Sequence, residues 1–162
     1  MPKMGKKVRR AVRRMERENA KFSWHIQNVL VPRSDMATGA AVRKISIDLM
    51  HLVIKAWPVK SGRSRAAWDT SLRALGGRLG FKITKTRDSA AIKKGRSEGS
   101  TKIRLRGKKP YVEMTNGVDY AIYLEAGHSG QAPSGVLVHA MRYMRTNKTT
   151  EREFRLKWRG VL

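Results

Sequence analysis

The chain has 162 residues, no cysteine, and 36 lysines and arginines against 12 acidic residues, which gives a net charge of +24. This length suits one domain with one modest core, and the lack of cysteine excludes disulfides, thiolate metal sites and thiol catalysis. So large a positive charge predicts polyanionic or acidic partners. No apolar run approaches the roughly 20 residues that span a bilayer, and no signal peptide is evident, so we expect a protein that is cytosolic or is assembled in the cytosol.

Residues 1–33 are predicted to form a basic N-terminal helical arm. Pro32 is expected to end this helix near Leu30. The arm is interpreted as solvated, docked on an acidic neighbour, or laid along nucleic-acid phosphates. The basic residues that precede the first acid are the candidate contacts with DNA or an acidic partner: Lys3, Lys6, Lys7, Arg9, Arg10, Arg13 and Arg14.

The next segment carries the longest apolar periodicity of the chain. A central helix is predicted to end at Pro58, because a proline ring excludes the helical conformation of the residue before it. Ser34 or Asp35 is the predicted N-cap, and Gly62 allows the turn that follows Pro58. The apolar residues recur at spacings of three and four, which is typical of a helix with one buried face: Val42, Ile45, Leu49, Val53 and Trp57.

The middle of the chain is interpreted as an antiparallel meander. A first strand is predicted to open at Trp68, with glycines 76, 77 and 80 in a turn between strands. The remaining strands are predicted from alternating apolar residues: Leu79 to Ile83, Thr101 to Arg106, and Tyr111 to Met114. Residues 85–102 are expected to be a polar loop, either a solvated hairpin tip or a contact with DNA or an acidic ring surface through Lys93, Lys94 and Arg96.

The last third is predicted to be mainly helical. A short helix spans Tyr120 to Leu124, with its aromatic side under the sheet and Gly127 closing it. After a loop, a final helix runs from Ser134 to about Lys157, and the apolar residues of its end are alternatively interpreted as an extended arm. Its predicted buried stripe is Val136, Leu137, Ala140, Met141 and Met144.

These elements predict an α+β fold. A small antiparallel β-sheet packs against the long central helix and a C-terminal helix, and the basic helical arm precedes them. The predicted organisation is a basic arm (residues 1–33), a core domain (34–145) and a charged C-terminal helix end or tail (146–162).

We predict no catalytic, cofactor or metal site. His128, Ser129 and Asp119 have the side chains of a triad, but the sequence lacks a nucleophile elbow and an oxyanion loop. The glycines near residue 77 do not complete a phosphate-binding loop. The four histidines lack the close spacing of metal ligands: His25, His51, His128 and His139.

Two segments, in this order, resemble a known family. The first is Trp57-Pro58-Val59-Lys60-Ser61-Gly62-Arg63-Ser64-Arg65-Ala66-Ala67-Trp68. The second runs from Asn116 through Tyr120-Ala121-Ile122-Tyr123-Leu124-Glu125-Ala126-Gly127 to Gln131-Ala132-Pro133-Ser134-Gly135. Both resemble the neck or tail-completion (minor tail component) proteins of long-tailed bacteriophages. In that family a proline-valine-x-threonine/serine-glycine-arginine turn is followed later by tyrosine-alanine-x-tyrosine-x-glutamate-x-glycine and an alanine-proline loop.

The resemblance implies a non-enzymatic virion protein of the phage neck, without a cofactor or a membrane partner. It would form a six-fold ring of its own copies around the channel that carries packaged double-stranded DNA, and would join head to tail. Its neighbours would be head-closure or adaptor proteins and the tail terminator or tail tube. It would lie in the host cytoplasm during assembly. A free nucleic-acid-binding module that uses its basic arms is the alternative.

The resemblance also assigns fold and ring-contact roles to residues of the two segments. In the first segment these residues are Pro58, Val59, Gly62, Arg63 and Arg65. In the second they are Asp119, Tyr120, Tyr123, Glu125, Gly127 and Pro133. Ser61 stands where the family usually has threonine, Ser64 stands where a larger apolar residue is common, and the long basic arm is not part of the family pattern.

Overall fold

The computed structural model describes residues 6–84, 88–107 and 109–159, and the side chains of the first segment from residue 16 onward. Seven α-helices, one π-helical segment and two strands follow one another in these residues. They are α1 (Lys6–His25), the π-helical segment (Ile26–Leu30), α2 (Val31–Ala56), α3 (Arg63–Ala74), α4 (Ser89–Glu98), β1 (Gly99–Arg104), β2 (Tyr111–Asn116), α5 (Ala121–Glu125), α6 (Leu137–Thr146) and α7 (Thr149–Trp158).

The first helix does not end before Pro32. The Val31 N–H donates to the carbonyl of Ile26, five residues back, and this wide turn makes room for the proline ring, which lacks an N–H. The chain is therefore helical from residue 6 to residue 56. The predicted N-cap is also wrong, because Ser34 lies inside α2 and its hydroxyl donates to the Val31 carbonyl at 2.8 Å.

The end of α2 is as predicted. Trp57 adopts an extended conformation with ψ of 132°, directly before Pro58. Gly62 then takes a left-handed φ of 82°, which a side chain would resist. The chain reverses within five residues and enters α3.

The strand predicted at Trp68 is instead the middle of α3. Alanines 66 and 67 favour a helix and are fully buried with Leu72. Gly76, with φ of 79°, and the bond from the Gly77 N–H to the Leu72 carbonyl (2.9 Å) close this helix in a Schellman arrangement. The glycines therefore terminate a helix rather than separate two strands.

The strand predicted at residues 79–83 is also wrong, because this segment is irregular. Its Ile83 carbonyl accepts a bond from the Arg65 guanidinium at 3.1 Å, so a side chain rather than a neighbouring strand holds it. The basic loop predicted at residues 85–102 is wrong as well: residues 99–102 belong to β1, residues 85–87 lie outside the described chain, and residues 89–98 form helix α4. Asp88 caps its start by accepting from the Ala91 N–H at 2.9 Å, as an N-cap aspartate does.

The predicted meander reduces to one hairpin in the described residues. Strand β1 pairs with β2 antiparallel, with Ile103 opposite Val112 and Lys102 opposite Glu113. Gly99, at the start of β1, lies against α3, where a Cβ would overlap the Ala67 carbonyl oxygen. The hairpin therefore packs directly on the helices instead of extending into a larger sheet.

The helix at residues 121–125 and its closure at Gly127 (φ of 86°) match the prediction. Its aromatic side does not lie under the sheet, since Tyr123 is 59% exposed. The single C-terminal helix is wrong as well: the chain breaks at Lys148, with φ of 50°, into α6 and α7. Met141 is exposed and so does not belong to the predicted buried stripe.

The core lies where α2, α3, α5 and α6 meet, which confirms the predicted α+β fold with a small antiparallel sheet against long helices. Its centre is the edge-on pair of Trp57 and Trp68, with ring centroids 5.4 Å apart. None of the helices in the described ranges is both long enough and apolar enough to cross a bilayer. The buried core residues are Met50, Val53, Ile54, Trp57, Ala67, Trp68, Leu72, Val118, Ala121, Ala132, Val136 and Ala140.

Candidate functional site

The structure brings the two segments that carry the family resemblance into contact. The Val59 N–H donates to the Gln131 side-chain oxygen at 3.1 Å. The Arg63 guanidinium lies 3.4 Å from an Asp119 carboxylate oxygen and 5.9 Å from the centre of the Tyr120 ring. Residues that are more than 50 positions apart in sequence therefore form one site, called here the signature cluster (residues 57–65 and 116–136).

Arg63 is the ionic centre of the signature cluster. Its Nε donates to Glu98 Oε2 at 2.7 Å, and its Nη2 donates to the other carboxylate oxygen. A forked pair of this kind fixes both side chains more firmly than a single contact does. The pair joins the first residue of α3 to the last residue of α4. The hydrogen bond from Arg63 holds the pKa of the Glu98 carboxyl below its usual 4.5.

This lowered pKa predicts a pH-dependent contribution to stability. Because the folded-state pKa of Glu98 lies below the unfolded value, its contribution is present above about pH 4.5 and is lost as the pH falls through the folded pKa. The difference in unfolding free energy between the wild type and Glu98→Gln is therefore expected to be largest at neutral pH and to shrink below about pH 4.5. Urea denaturation of both proteins from pH 7 to pH 3 measures this difference.

Glu113→Gln is the matched control, because Glu113 pairs with Lys102 at 3.1 Å on the exposed face of the hairpin. Exposed pairs contribute little to stability, so this variant should track the wild type across the same range. A Glu98→Gln difference that stayed constant with pH would contradict the assignment of the ion pair.

Arg65 has a different role from Arg63. Its guanidinium donates to the Trp57 carbonyl at 2.6 Å and to the Ile83 carbonyl at 3.1 Å, so it satisfies backbone acceptors at the end of α2, which lack helical partners. Burial lowers the pKa of this guanidinium. Arg65 therefore holds the Pro58 turn and the irregular segment against α3.

Ser64 is a buried residue whose role the sequence analysis missed. Its hydroxyl accepts from Trp57 Nε1 at 2.9 Å and from the Asn116 amide at 2.9 Å, and its carbonyl accepts from the same amide at 3.0 Å. The serine found where the family often has a larger apolar residue thus links the central helix to the end of β2. The only sequence signal was a small polar residue seven positions after Trp57 and four positions before Trp68.

Glu125 caps α6. Its Oε2 accepts from the N–H groups of Val136 and Leu137, each at 2.9 Å, and its Oε1 accepts from that of Val138 at 3.2 Å. The first N–H groups of a helix lack partners within the helix, and the positive end of the helix dipole also stabilises a carboxylate there. Gly127 makes this arrangement possible, because a Cβ at that position would overlap the Pro133 carbonyl.

Glu125→Ala is expected to lower the free energy of unfolding by about 1–2 kcal/mol, since three N–H groups lose a charged acceptor. Chemical denaturation followed by circular dichroism measures this change. Glu16→Ala is the control, because Glu16 is exposed on α1, and it should change stability by less than about 0.5 kcal/mol. Equal effects of the two substitutions would show that the cap is not formed.

A groove of about 440 Å³ opens between the turn and the short helix α5. The Pro58–Gly62 turn forms one side, and the other side is lined by Tyr120, Leu124, His128, Ser129 and Gln131. Tyr123 lies beside it with its ring 6.0 Å from His128. Asp119, the carboxylate that the sequence offered to a triad, faces Arg63. Within the described ranges no three histidine, aspartate or glutamate residues are grouped to hold a metal.

The basic candidates lie on two separate helices. Six of them belong to α1: Lys6, Lys7, Arg9, Arg10, Arg13 and Arg14. Lys3 lies outside the described residues. Lys93 and Lys94 are exposed on α4, and Arg96 on the same helix lies 3.6 Å from the buried Asp69 carboxylate. Arg96 therefore has a structural partner, whereas Lys93 and Lys94 face solvent.

The chain has no match among known proteins in three comparisons. No protein-family model matches it, no curated protein matches it and no solved structure matches it. The residues and contacts described above are therefore the basis of the function proposed next.

Proposed function

We propose that the chain is a structural, non-enzymatic subunit of the neck of a long-tailed bacteriophage, where it acts in tail completion or as a minor tail component. It assembles as a ring around the DNA channel and joins head to tail. The observation that supports this most is the signature cluster. Its two segments, which carry the family resemblance, bond to each other through Val59, Gln131, Arg63 and Asp119.

The residues of the cluster divide into internal and outward-facing sets. Arg65, Glu125 and Gly127 hold the fold together through the contacts described above. Ile122 and Tyr123 on α5 are 72% and 59% exposed. Aromatic and large aliphatic side chains of this kind are typical of protein interfaces. A rigid scaffold that presents an apolar surface suits a ring contact.

The proposed position of the chain in the neck implies which partners it contacts. The chain contacts its own copies in a six-fold ring and the head-closure or adaptor protein on one side. On the other side it contacts the tail terminator or tail tube. The basic residues of α1 suit packaged DNA in the lumen or the acidic surface of a neighbouring ring.

Deleting the gene from the phage that encodes it tests the proposal. Filled heads and free tails are expected to accumulate separately in electron micrographs, and infectivity is expected to return when the wild-type gene is supplied in trans. Complementation with Ile122→Glu is expected to fail, while the exposed-loop variant Gly80→Ala should restore joined particles. Joined, infectious particles without the gene would overturn the proposal.

A free nucleic-acid-binding module is the second candidate. It is favoured by the first ten residues of the described chain, which hold six basic residues and no acid within one helix. Such a module binds DNA as a monomer, with an affinity that falls steeply as salt rises. Titration of the purified monomer with duplex DNA at several salt concentrations measures this. Tight binding by a monomer, together with joined particles in the deletion strain, would favour this candidate.

A further inference from the structure

The continuous helix of residues 6–56 projects far beyond the core. At about 1.5 Å per residue it is about 75 Å long. Residues 16–25 are all exposed, and among the side chains described, from residue 16 onward, the first buried one is Ala37. Roughly 30 residues, or about 45 Å of helix, therefore extend past the domain to which they belong. A helix gains most of its stability from packing, so an arm of this length calls for a partner.

Charge divides the arm into two parts. Residues 6–15 carry six basic and no acidic residues. Residues 16–36, called here the mid-arm, are balanced, whereas the whole chain carries +24. The mid-arm is therefore a part of the helical arm that a second copy approaches without net repulsion, while a polyanion gains little there. Its three acids are Glu16, Glu18 and Asp35, and its three bases are Arg17, Lys21 and Arg33.

The mid-arm also exposes large apolar side chains. Phe22 is 64% exposed, Trp24 61% and Met36 69%, and Val31 is exposed as well. Single apolar residues on a surface need no explanation, but these four lie within 15 residues of a helix whose apolar side chains the core does not cover. Tryptophan in particular contributes strongly when it enters a pocket of a partner.

A matching groove lies on the core, between the second half of α2 and α6. It measures about 660 Å³, within the roughly 300–1,000 Å³ of pockets that take drug-sized groups, so an indole ring fits. Its lining includes the aliphatic Leu52, Ala56 and Ala140 and the exposed Tyr143 and Arg142. Aliphatic lining residues beside one exposed arginine complement a helix that exposes tryptophan and carries glutamates.

We propose that the mid-arm of one copy docks in this groove of a second copy, with Trp24 in the groove and Glu16 or Glu18 near Arg142. Arm and groove are different surfaces, so each copy gives its arm to one neighbour and receives an arm from the other. Such head-to-tail contacts form a ring when the rotation from one copy to the next closes on itself, and an open filament when it does not. The inference rests on the proposed function in that it supplies the contact that builds its ring. The basic residues 6–15 then extend past the neighbour toward a polyanion.

Cysteine cross-linking tests this docking, because the natural chain has no cysteine. A full-length Ser23→Cys protein is mixed with a Thr146→Cys protein of different tag size, in high salt and free of nucleic acid. Ser23 neighbours Trp24, and Thr146 lines the groove. Oxidation is expected to give the mixed disulfide dimer as the main product. Thr115→Cys, on the exposed face of β2, is the control partner, and an equal yield with it would overturn the proposal.

A second variant pair separates the docking from the ring. Trp24→Glu is expected to weaken self-association at least about tenfold in sedimentation experiments. Thr115→Glu adds the same charge on the exposed face of β2, outside both the arm and the groove, and should leave self-association unchanged. If the wild type associates but Trp24→Glu associates equally well, the docking is wrong and the ring stands. A wild type that stays monomeric overturns the docking, and electron microscopy of particles then decides the ring separately.

Discussion

Trp57→Ala is expected to lower the free energy of unfolding by about 3–5 kcal/mol, the largest effect of any substitution considered. Trp57 is 1% exposed, stacks edge-on against Trp68 and donates its indole N–H to Ser64. Alanine removes the ring, leaves a cavity between α2 and α3, and leaves the Ser64 hydroxyl without that donor. Urea denaturation followed by circular dichroism measures the change.

Trp24→Ala is the matched control for this prediction. Trp24 is 61% exposed on the arm, so its loss should change the unfolding free energy of the isolated chain by less than about 0.5 kcal/mol. The same substitution at two sites therefore separates burial from residue type. A Trp57→Ala protein as stable as Trp24→Ala would mean that α2 and α3 do not pack through the tryptophan pair.

Gly95→Ala is expected to lower the unfolding free energy by about 1–3 kcal/mol, although alanine favours a helix by about 1 kcal/mol. A Cβ at Gly95 would overlap the Arg63 carbonyl oxygen, which belongs to the backbone of α3 and cannot rotate away. Helix α4 would have to move outward, and the pair between Arg63 and Glu98 would lengthen. Thermal and chemical unfolding report the loss.

Gly80→Ala provides the control, since nothing lies within 4 Å of a Cβ at that position. Its effect should be neutral or slightly stabilising, because alanine restricts the unfolded chain. The longer Arg63 to Glu98 contact in Gly95→Ala should also weaken the pH dependence of stability that Glu98 produces. A Gly95→Ala protein that is more stable than the wild type would contradict the close packing of α3 on α4.

The features that the sequence predicted correctly depend on local chemistry. Pro58 ends α2 because of its own ring, and Gly127 closes α5 because of its own φ. The β1–β2 hairpin follows from alternating side chains on both strands. Each of these signals lies within a few residues of the structure that it specifies, so no knowledge of distant contacts was required.

The errors arose where distant contacts or unusual geometry decided the outcome. Residues 79–83 alternate like a strand, but the Arg65 side chain binds their backbone and no strand pairs with them. Pro32 is a stop signal for an α-helix, yet a π-helical turn accommodates it. Asp88, which caps α4, is visible in the sequence, but the polar, basic composition of the segment predicted a loop instead of a helix.

The candidate site was predictable in part. The family resemblance singled out both segments of the signature cluster, and residues such as Arg63 and Asp119 do meet. The partners outside the segments were not predictable, because Glu98 lies 35 positions from Arg63. The exposure of Trp24 could not be inferred either, since an amphipathic pattern does not say whether a helix finds a partner in its own chain.

The π-helical turn at Ile26–Leu30 sets the rotation of the arm about the helix axis relative to the core. Such a turn is equivalent to one extra residue in an α-helix, and one residue corresponds to about 100° of rotation. The side chains N-terminal to this turn are therefore rotated by about 100° from the positions that an uninterrupted α-helix would give them. An insertion or deletion in this turn would rotate Phe22 and Trp24 away from the groove in which we propose that the arm docks. It would not alter a buried residue, since none of residues 26–30 is buried, so the turn sets the direction in which the arm presents these side chains.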